Sequence, residues 1–254
     1  MRSLELLAAI DLVRRGCENV FIDGSYLSIL LSPSNTVRMV YRDLKRELGE
    51  NVVRPMRYIK DLVEEVDEKL DSKVDVKQLF VDILNLLKAR TMEAYEAIIR
   101  ELGGVMSVIC RKNMLDYILL SMEENLSLTI LKRLMEESEE RGARVFWVAK
   151  DTESRALAES QGLRGWYTDT SLLDYIWRDK ESALLDASKV TELPPVSPTR
   201  GTVVEGKGDL VFEPGTAIKF YSKWGSYMVW YLKLSRMGAV LQLSYPRRYG
   251  KSSG

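Results

Sequence analysis

The order of secondary-structure elements along the sequence predicts an α/β protein built on a mixed sheet that is flanked by helices. Short apolar runs near the N-terminus, bounded by turn residues, are typical of strands. The middle of the chain carries apolar residues at helical spacing, with two further strand-like runs between its helices. The last part is rich in aromatic and β-branched residues, which predicts a β-rich C-terminal part.

The size and composition of the chain indicate one large domain. Its 254 residues, 46% apolar and 29% charged, suffice for a sizeable hydrophobic core. We therefore predict a single domain over residues 1–254. Residues 187–209 contain Pro194, Pro195, Pro198 and several glycines without periodicity, which predicts a long surface loop. Residues 246–254 are predicted to form a flexible tail.

The N-terminal elements are predicted as one helix followed by three strands. Residues 3–15 form an amphipathic pattern that stops near Gly16. Residues 19–22 are a short apolar run and predict a buried strand. After a turn, residues 26–31 and 36–41 predict two more strands. Three strands joined by tight turns indicate an antiparallel meander.

Helices and strands alternate through the rest of the chain. Helices are predicted at residues 56–70, 75–102, 125–141 and 170–177, with another ending near Ser160. Strands are predicted at residues 105–110, 144–149, 210–213, 216–222, 226–234 and 239–245. A meander followed by helix-linked parallel strands is the order of an RNase H-like α/β layer.

Composition excludes several kinds of chemistry. The chain has no histidine, which excludes His-based catalytic triads, His zinc sites and His general bases. Cys17 and Cys110 are far apart, make no CxxC motif and indicate reduced thiols of a cytoplasmic protein. Metal chemistry would therefore use carboxylates, which favour Mg²⁺ or Mn²⁺.

Charge and hydropathy limit the partners. Lys+Arg and Asp+Glu both number 37, so any contact with nucleic acid must come from a local basic patch. No run of about 18 apolar residues predicts a membrane span. Acidic residues interrupt the N-terminal apolar stretch, which argues against a signal peptide.

Asp23 is the first candidate site residue, because a buried strand delivers it directly before Gly24 and Ser25. A carboxylate held rigidly at the end of a strand can bind the divalent ions that phosphodiester cleavage uses. Asp and Gly are also favoured turn residues, so a simple hairpin turn is the alternative interpretation.

Glu93 and Glu96 lie on the second long predicted helix, three residues apart and near one face. One of them could reach the strand-end carboxylate. The alternative is a solvated, charged helix face. A third carboxylate could come from Asp116, Asp151 or Asp169.

Lys150 and Asp151 directly follow the predicted strand at residues 144–149. Lys150 is placed to meet a phosphate group, and both residues are candidates for lining the active site. The alternative is that Asp151 or Thr152 caps the next helix.

The C-terminal part interleaves aromatic and basic residues. Candidate nucleic-acid-binding residues are Lys219, Lys223, Trp224, Arg247 and Arg248. Aromatic rings with neighbouring cations can stack on bases and follow a nucleic-acid backbone. Core and interface packing is the alternative, because aromatic side chains at strand spacing are common in both.

The order and spacing of these segments resemble the NurA family of nucleases. Residues 21–25 (FIDGS) match its strand into Asp-Gly-Ser, and residues 90–93 (RTME) match its Arg-x-x-Glu helix. Residues 149–154 (AKDTES) match its strand-to-helix segment. Residues 167–173 and 220–246 resemble later parts of the family, so the resemblance spans most of residues 18–246.

The resemblance implies an RNase H-like fold and a metal-dependent DNA nuclease, active as a single-strand endonuclease and a 5′-to-3′ exonuclease. It implies Mn²⁺ (or Mg²⁺) as cofactor, with Asp23 and Glu93 as metal ligands. It also implies a homodimer that works with a HerA-type hexameric helicase in DNA end resection and double-strand break repair.

Two departures from the family pattern leave alternatives open. Family members have an Asp-Gly where this chain has residues 110–113 (CRKN), at the end of the strand predicted at 105–110. They also continue beyond the C-terminal strands, whereas this chain ends soon after Pro246. A catalytically degenerate NurA-like subunit that binds DNA or the translocase is therefore the second hypothesis. An unrelated α/β domain is the third.

Overall fold

The computed structural model describes residues 2–26, 35–52, 55–72, 75–102, 106–150, 152, 154–163, 165, 168–188, 196–197, 202–203 and 214–247. Its helices are α1 (Arg2–Arg14), α2 (Asn35–Leu48), α3 (Met56–Asp71), α4 (Val76–Glu101), α5 (Val108–Arg141), α6 (Ala156–Ser160), α7 (Asp169–Ile176) and α8 (Pro214–Trp224). Its strands are β1 (Asn19–Asp23), β2 (Arg144–Ala149), β3 (Ala183–Asp186), β4 (Val196–Ser197), β5 (Thr202–Val203), β6 (Ser226–Lys233) and β7 (Leu241–Arg247).

The main sheet has five strands in the order β1-β2-β7-β6-β3. β1 and β2 are parallel, whereas β7 runs antiparallel to both β2 and β6, and β3 runs antiparallel to β6. β4 and β5 form a separate two-stranded pair within the predicted surface loop. This architecture confirms the predicted fold class, a mixed α/β sheet flanked by helices.

Two helix-strand units lie side by side and define the centre of the fold. Ser3 and Ser127 share a hydrogen bond of 3.0 Å, and Arg14 pairs with Glu137 at 2.6 Å. The contacts advance along both helices together, so α1 and the C-terminal half of α5 run in the same direction. Each helix then leads through a short turn into a strand, α1 into β1 and α5 into β2.

The two strands pair in parallel as a consequence of this arrangement. The Arg144 amide donates to the Glu18 carbonyl at 2.8 Å where the strands begin, and the Gly24 amide donates to the Val148 carbonyl at 2.8 Å where β1 ends. Parallel neighbours need a crossover connection, and here the helical residues between β1 and β2 supply it.

A buried carboxylate ties three helices together. Glu137, whose side chain is 5% exposed, accepts hydrogen bonds from Arg14 and from Arg133 Nε at 2.8 Å. Arg14 also donates to the Leu70 carbonyl at 2.7 Å, and Arg133 pairs with Asp71 at 2.5 Å at the end of α3. Burial alone would raise the pKa of Glu137, but the hydrogen bonds and charges of the two arginines outweigh it and hold the pKa below its ordinary value.

The sheet has one buried face and one partly exposed face. A row across four strands is buried against the helices and consists of Ile22, Trp147, Ser244 and Val229. The neighbouring row on the opposite face consists of Phe21, Phe146, Tyr245 and Met228. Phe21 is 63% exposed, and its ring stacks on that of Phe146 with centroids 5.3 Å apart.

The strand predicted at residues 36–41 is wrong, because these residues belong to α2. Val37, Tyr41 and Leu44 are buried at spacings of four and three residues, so the segment packs as an amphipathic helix. Of the strand predicted at residues 26–31, only Tyr26 is described, and its backbone is helical. The antiparallel part of the sheet therefore comes from the C-terminal strands.

The strand predicted at residues 105–110 is also wrong, because α5 begins at Val108. Ser107 is the N-cap, and its Oγ accepts a hydrogen bond from the Cys110 amide at 3.0 Å. Cys110 and Met114 are buried at helical spacing. The β-branched residues of this apolar run favoured a strand, but the serine cap and the buried helical face determine the structure.

The strand predicted at residues 216–222 is the third error, because these residues lie in α8. Thr216, Phe220 and Trp224 are buried four residues apart, which is the inner face of a helix. Residues 210–213 lie outside the described residues. β7 extends to Arg247, and the rest of the predicted tail is not described. The division into a single domain stays a prediction.

The other long elements agree with the sequence. Helices occur at the predicted positions in α1, α3, α4 and α7, and strands in β1, β2, β6 and β7. The helix predicted at residues 125–141 is the second half of the 34-residue α5. Among the helices that the structure describes, none combines the length and apolar character needed to cross a membrane.

Replacing Glu137 with Gln should lower the free energy of unfolding by about 3 kcal/mol, because the part-buried guanidinium groups of Arg14 and Arg133 lose the carboxylate that they share. Urea unfolding at pH 7 measures this change. Glu140→Gln is the matched control, since Glu140 is exposed near the end of the same helix. It should change stability by less than about 0.5 kcal/mol.

The difference in stability between wild type and Glu137→Gln should depend on pH. The pKa of Glu137 is lowered from 4.5 in the folded state, so its stabilising contribution is present above that pH and is lost as the pH falls through the folded value. The difference in free energy of unfolding between wild type and Glu137→Gln should therefore become smaller below pH 4.5. A gap that stays constant down to unfolding would contradict this assignment.

Candidate active site

The carboxyl ends of β1 and β2 meet at one edge of the sheet. Asp23 is the last residue of β1 and pairs in register with Val148 of β2. Lys150 follows β2 directly and is exposed. The structure therefore brings two sequence-predicted site residues, Asp23 and Lys150, to neighbouring strand ends.

Gly24 makes the turn after Asp23 possible. Its φ angle is 114°, in a region that side-chain-bearing residues rarely adopt. Among the described residues β1 pairs with β2, and Tyr26, directly after the turn, has helical backbone. The Asp-Gly-Ser segment is thus a turn out of a strand end rather than the hairpin of the alternative interpretation.

A pocket of about 130 Å³ lies where this turn meets the first turns of α1. Its lining consists of Arg2, Glu5, Leu6, Ile22, Asp23, Gly24, Ser25 and Trp147. It thus combines two carboxylates and one guanidinium with an apolar floor. The predicted strand-end carboxylate is in this pocket, whereas three further polar members, Arg2, Glu5 and Trp147, were not predicted.

Trp147 forms part of the pocket and carries an unused hydrogen-bond donor. The residue is 1% exposed, and its ring packs against that of Tyr26 with centroids 4.7 Å apart. Its Nε1 is buried and has no hydrogen-bond partner among the described residues. Buried donors are rarely left unpaired, because desolvation without a hydrogen bond is unfavourable.

The segment after β2 does not form the helix cap that the sequence suggested. α6 begins at Ala156, and its N-cap is Arg155, which makes no side-chain capping hydrogen bond. Thr152 instead is buried, and its Oγ1 has no partner among the described residues. Asp151 lies outside the described residues, so its predicted role at the site stays a prediction.

Glu93 is held in an ion pair on the helical layer. Its carboxylate accepts a hydrogen bond from Arg90 at 2.5 Å, and Arg90 also bonds to Glu65 of α3. The hydrogen bonds to Glu65 and Glu93 raise the pKa of Arg90 above its ordinary value. Glu93 and Glu96 are exposed on α4, and neither lines the pocket at Asp23.

The pocket offers an oxygen-only donor set for a divalent ion. No three His, Cys, Asp or Glu side chains within the described part of the chain are grouped so as to hold a metal. Asp23 and Glu5 nevertheless line one pocket together with Ser25. Mg²⁺ is commonly held by one or two carboxylates, with water and substrate phosphate completing its shell, so these residues fit Mg²⁺ or Mn²⁺.

Asp169 is a structural carboxylate rather than a third metal ligand. It is 0% exposed and accepts hydrogen bonds from Ser154 Oγ at 2.6 Å, the Ala158 amide at 2.9 Å and Tyr231 Oη at 2.8 Å. Burial, with the charge of Asp169, raises the pKa of Tyr231, so the phenol remains a donor. Asp116, the other described candidate, lies half-buried on α5.

The candidate nucleic-acid residues are divided between surface and core. Lys219 and Lys223 are exposed on α8, and Lys223 Nζ lies 3.8 Å from Glu136. Trp224 is 3% exposed and packs on Phe220 with ring centroids 5.7 Å apart. Its buried ring is therefore not available to stack on a nucleic-acid base. The helical spacing of α8, in place of the predicted strand, turns Trp224 inward.

The other two candidates in this group are arginines at the C-terminal end of β7. Arg247 is the last residue of β7, and its side chain is not described. Arg248 lies outside the described residues. Their predicted contacts with nucleic acid stay predictions.

The fold and the pocket define a mixed α/β protein, flanked by helices, with an acidic site at the ends of two strands. The family model of the NurA domain matches residues 1–254. The chain therefore belongs to the NurA family, and the interpretation as an unrelated α/β domain is wrong.

Solved structures of NurA share this fold. The structure of NurA with manganese has 14% sequence identity and a TM-score of 0.51, and the match covers 96% of this chain and 65% of that one. NurA bound to dAMP and manganese has 15% identity and a TM-score of 0.52, with 96% and 64% covered. The chain thus spans less than two thirds of the length of these structures. A comparison with curated proteins found no match.

Replacing Asp169 with Asn should lower the free energy of unfolding by about 2 kcal/mol, because an amide cannot accept all three hydrogen bonds. Urea unfolding measures the change. Asp179→Asn is the control, because its side chain is 74% exposed and should contribute little. Equal stability of the two variants would show that Asp169 does not hold α6, α7 and β6 together.

Proposed function

We propose that this chain is a metal-dependent DNA nuclease of the NurA type, acting as a single-strand endonuclease and a 5′-to-3′ exonuclease. The observation that carries the proposal is Asp23, a carboxylate at the end of a buried strand in a pocket with a second carboxylate. Membership of the NurA family supports it. So does the fold shared with a NurA structure that contains dAMP and manganese.

The chain's own residues take defined roles in this proposal. Asp23 and Glu5, which line the same pocket, are proposed ligands of Mn²⁺ or Mg²⁺, and the family resemblance adds Glu93. The ion would activate water and neutralise charge on the phosphate. Glu93 must exchange its pairing with Arg90 for this role. Lys150, exposed beside the end of β1, is proposed to offset negative charge on the strand being cut, and Asp151, the next residue in the sequence, is proposed to line the site.

Local positive charge guides DNA to the site, because the chain as a whole has no net charge. Lys219 and Lys223 are exposed on one helix and can contact phosphates. We also propose that Arg247 and Arg248, whose side chains are not described, contact phosphates of the DNA. Trp224 is not part of it, since its ring is buried.

The biological setting that we propose is DNA end resection and double-strand break repair in the cytoplasm, with a HerA-type hexameric helicase as partner. We also propose a homodimer. The partly exposed apolar face of the sheet, with Phe21 and Leu184 63% and 69% exposed, supports association with a second copy through this face.

A catalytically degenerate subunit that binds DNA or the translocase without cutting is the second candidate. Three observations favour it. Glu93 is occupied by Arg90, and no cluster of three potential metal ligands occurs within the described residues. In addition, residues 110–113, where the family has Asp-Gly, lie in the first turns of α5 rather than at a strand end.

Purified protein should degrade a labelled single-stranded oligonucleotide in the presence of Mn²⁺, and Asp23→Asn should slow this about 100-fold or more. A bound metal contributes several kcal/mol to the reaction, and Asp23 is its proposed ligand. Rates are measured on denaturing gels with Asp179→Asn as control. Cleavage absent from wild type, alone and with a HerA-type helicase, would support the degenerate subunit instead.

Glu93→Gln tests the second proposed ligand separately. If Glu93 binds the metal, this variant should lose activity as Asp23→Asn does, and more Mn²⁺ should partly restore it. Glu96→Gln is the matched control, because Glu96 is exposed one turn further along α4. Full activity in Glu93→Gln would mean that this carboxylate serves only as a partner of Arg90.

The proposed dimer should dissociate when Phe21 is replaced with Ser, because the change removes an exposed aromatic ring from the apolar sheet face. Light scattering measures the molar mass of wild type and variant. Met237→Ser, at a position 95% exposed in the β6–β7 turn, should leave the mass unchanged. A wild-type monomer would refute the dimer.

A further inference from the structure

We propose that the pocket beside Asp23 binds one phosphate group, and that the indole N–H of Trp147 donates a hydrogen bond to it. This inference rests on the proposed function, since the phosphate would belong to the DNA strand. Trp147, a residue of the core, thereby gains a role in binding. The group that the pocket recognises is a single phosphate.

The unused donor is the first argument. Trp147 Nε1 is buried and has no partner among the described residues, yet Trp147 lines the pocket. An indole N–H can only donate, so its partner must be an acceptor. A phosphate oxygen is such an acceptor, and a charged acceptor makes a stronger hydrogen bond than a neutral one.

The second argument is that this donor is held in place. Trp147 lies in β2 between β1 and β7, in register with Ile22 on one side and Ser244 on the other. Its ring packs against Tyr26, whose hydroxyl donates to the Trp224 carbonyl at 2.7 Å. A donor fixed by packing loses little conformational entropy when a ligand arrives.

Charge is the third argument. Arg2 contributes a guanidinium to the pocket, and the first turn of α1, with its partial positive charge, lies there as well. Glu5 and Asp23 would repel a phosphate unless a divalent ion lay between them. The pocket therefore joins anion donors on one side to metal-binding carboxylates on the other.

The size of the pocket decides which part of a nucleotide it accepts. Its volume of about 130 Å³ exceeds the ~10–15 Å³ that one water requires, but it is well below the ~300–1,000 Å³ of pockets that enclose larger ligands. A phosphate group fits and a whole nucleoside does not. Contact with the backbone alone carries no base information, so binding through this pocket is independent of sequence.

Trp147 acts in this arrangement as a positioning residue. Holding one phosphate in this pocket fixes its position relative to Asp23, the carboxylate at the end of β1. The inner face of the sheet thus contributes to substrate alignment as well as to the core.

Indole resonances provide the direct test. The chain has five tryptophans, so a ¹⁵N-labelled sample gives five indole N–H signals, and Trp147→Phe identifies one of them by its loss. In Mg²⁺, inorganic phosphate and dAMP should both shift the Trp147 signal, whereas deoxyadenosine, which lacks phosphate, should not. A Trp147 signal unmoved by saturating phosphate and dAMP would overturn the inference.

Binding of a single-stranded oligonucleotide gives a second readout. Trp147→Phe should weaken binding about tenfold, since it removes one hydrogen bond to a charged group. Trp177→Phe is the control, because Trp177 is half-buried and lies outside the pocket. The remaining indole signals show whether Trp147→Phe is folded. If it is not, single Phe replacements of the other four tryptophans identify the Trp147 signal by elimination.

The two proposals fail in different ways. Mn²⁺-dependent cleavage with an unmoved Trp147 signal would refute the phosphate pocket and leave the nuclease standing. A shifted Trp147 signal without cleavage would support the pocket and refute catalysis. A Trp147 signal that shifts with dAMP but not with inorganic phosphate would show that the nucleoside is recognised, which also overturns the inference.

Discussion

The ion pair between Glu137 and Arg14 is the contact on which the rest of the structure depends. It fixes the end of α1 against α5 just before each helix turns into its strand, and Arg133 donates to the same carboxylate. The end of α3 contacts the two arginines through the Leu70 carbonyl and Asp71. Because the two helices are aligned there, β1 and β2 enter the sheet in parallel and in a defined register. A shift of α1 by one turn would separate the strand ends that form the site.

The pocket follows from this alignment. α1 runs back from its contact with Glu137 so that its first turns, with Arg2 and Glu5, lie over the end of β1. Trp147 closes the pocket from β2 because its face of the strand is the one that packs against the helices. A strand end, a helix start and a buried indole thus meet through contacts made at the opposite end of α1, about 20 Å away along the helix.

The two proposed functions, cleavage and association with a second copy, use different surfaces of the sheet. The inner face carries the core and the floor of the pocket, while the outer face leaves Phe21 and Leu184 largely exposed. A nuclease site at the sheet edge and an association surface on the outer face do not compete for the same residues.

The sequence by itself determined the elements whose local pattern has one interpretation, such as α3, α4, β2 and the strand into Asp23. It also determined the chemistry that is excluded, since a chain without histidine must use other ligands. Tertiary structure decided the segments around Tyr41, Cys110 and Phe220, where β-branched and aromatic residues suggested strands but burial at helical spacing prevailed. It also turned Trp224 inward, paired Arg90 with Glu65 and placed Trp147 beside Asp23. Such contacts join residues far apart in the chain, and local spacing does not encode them.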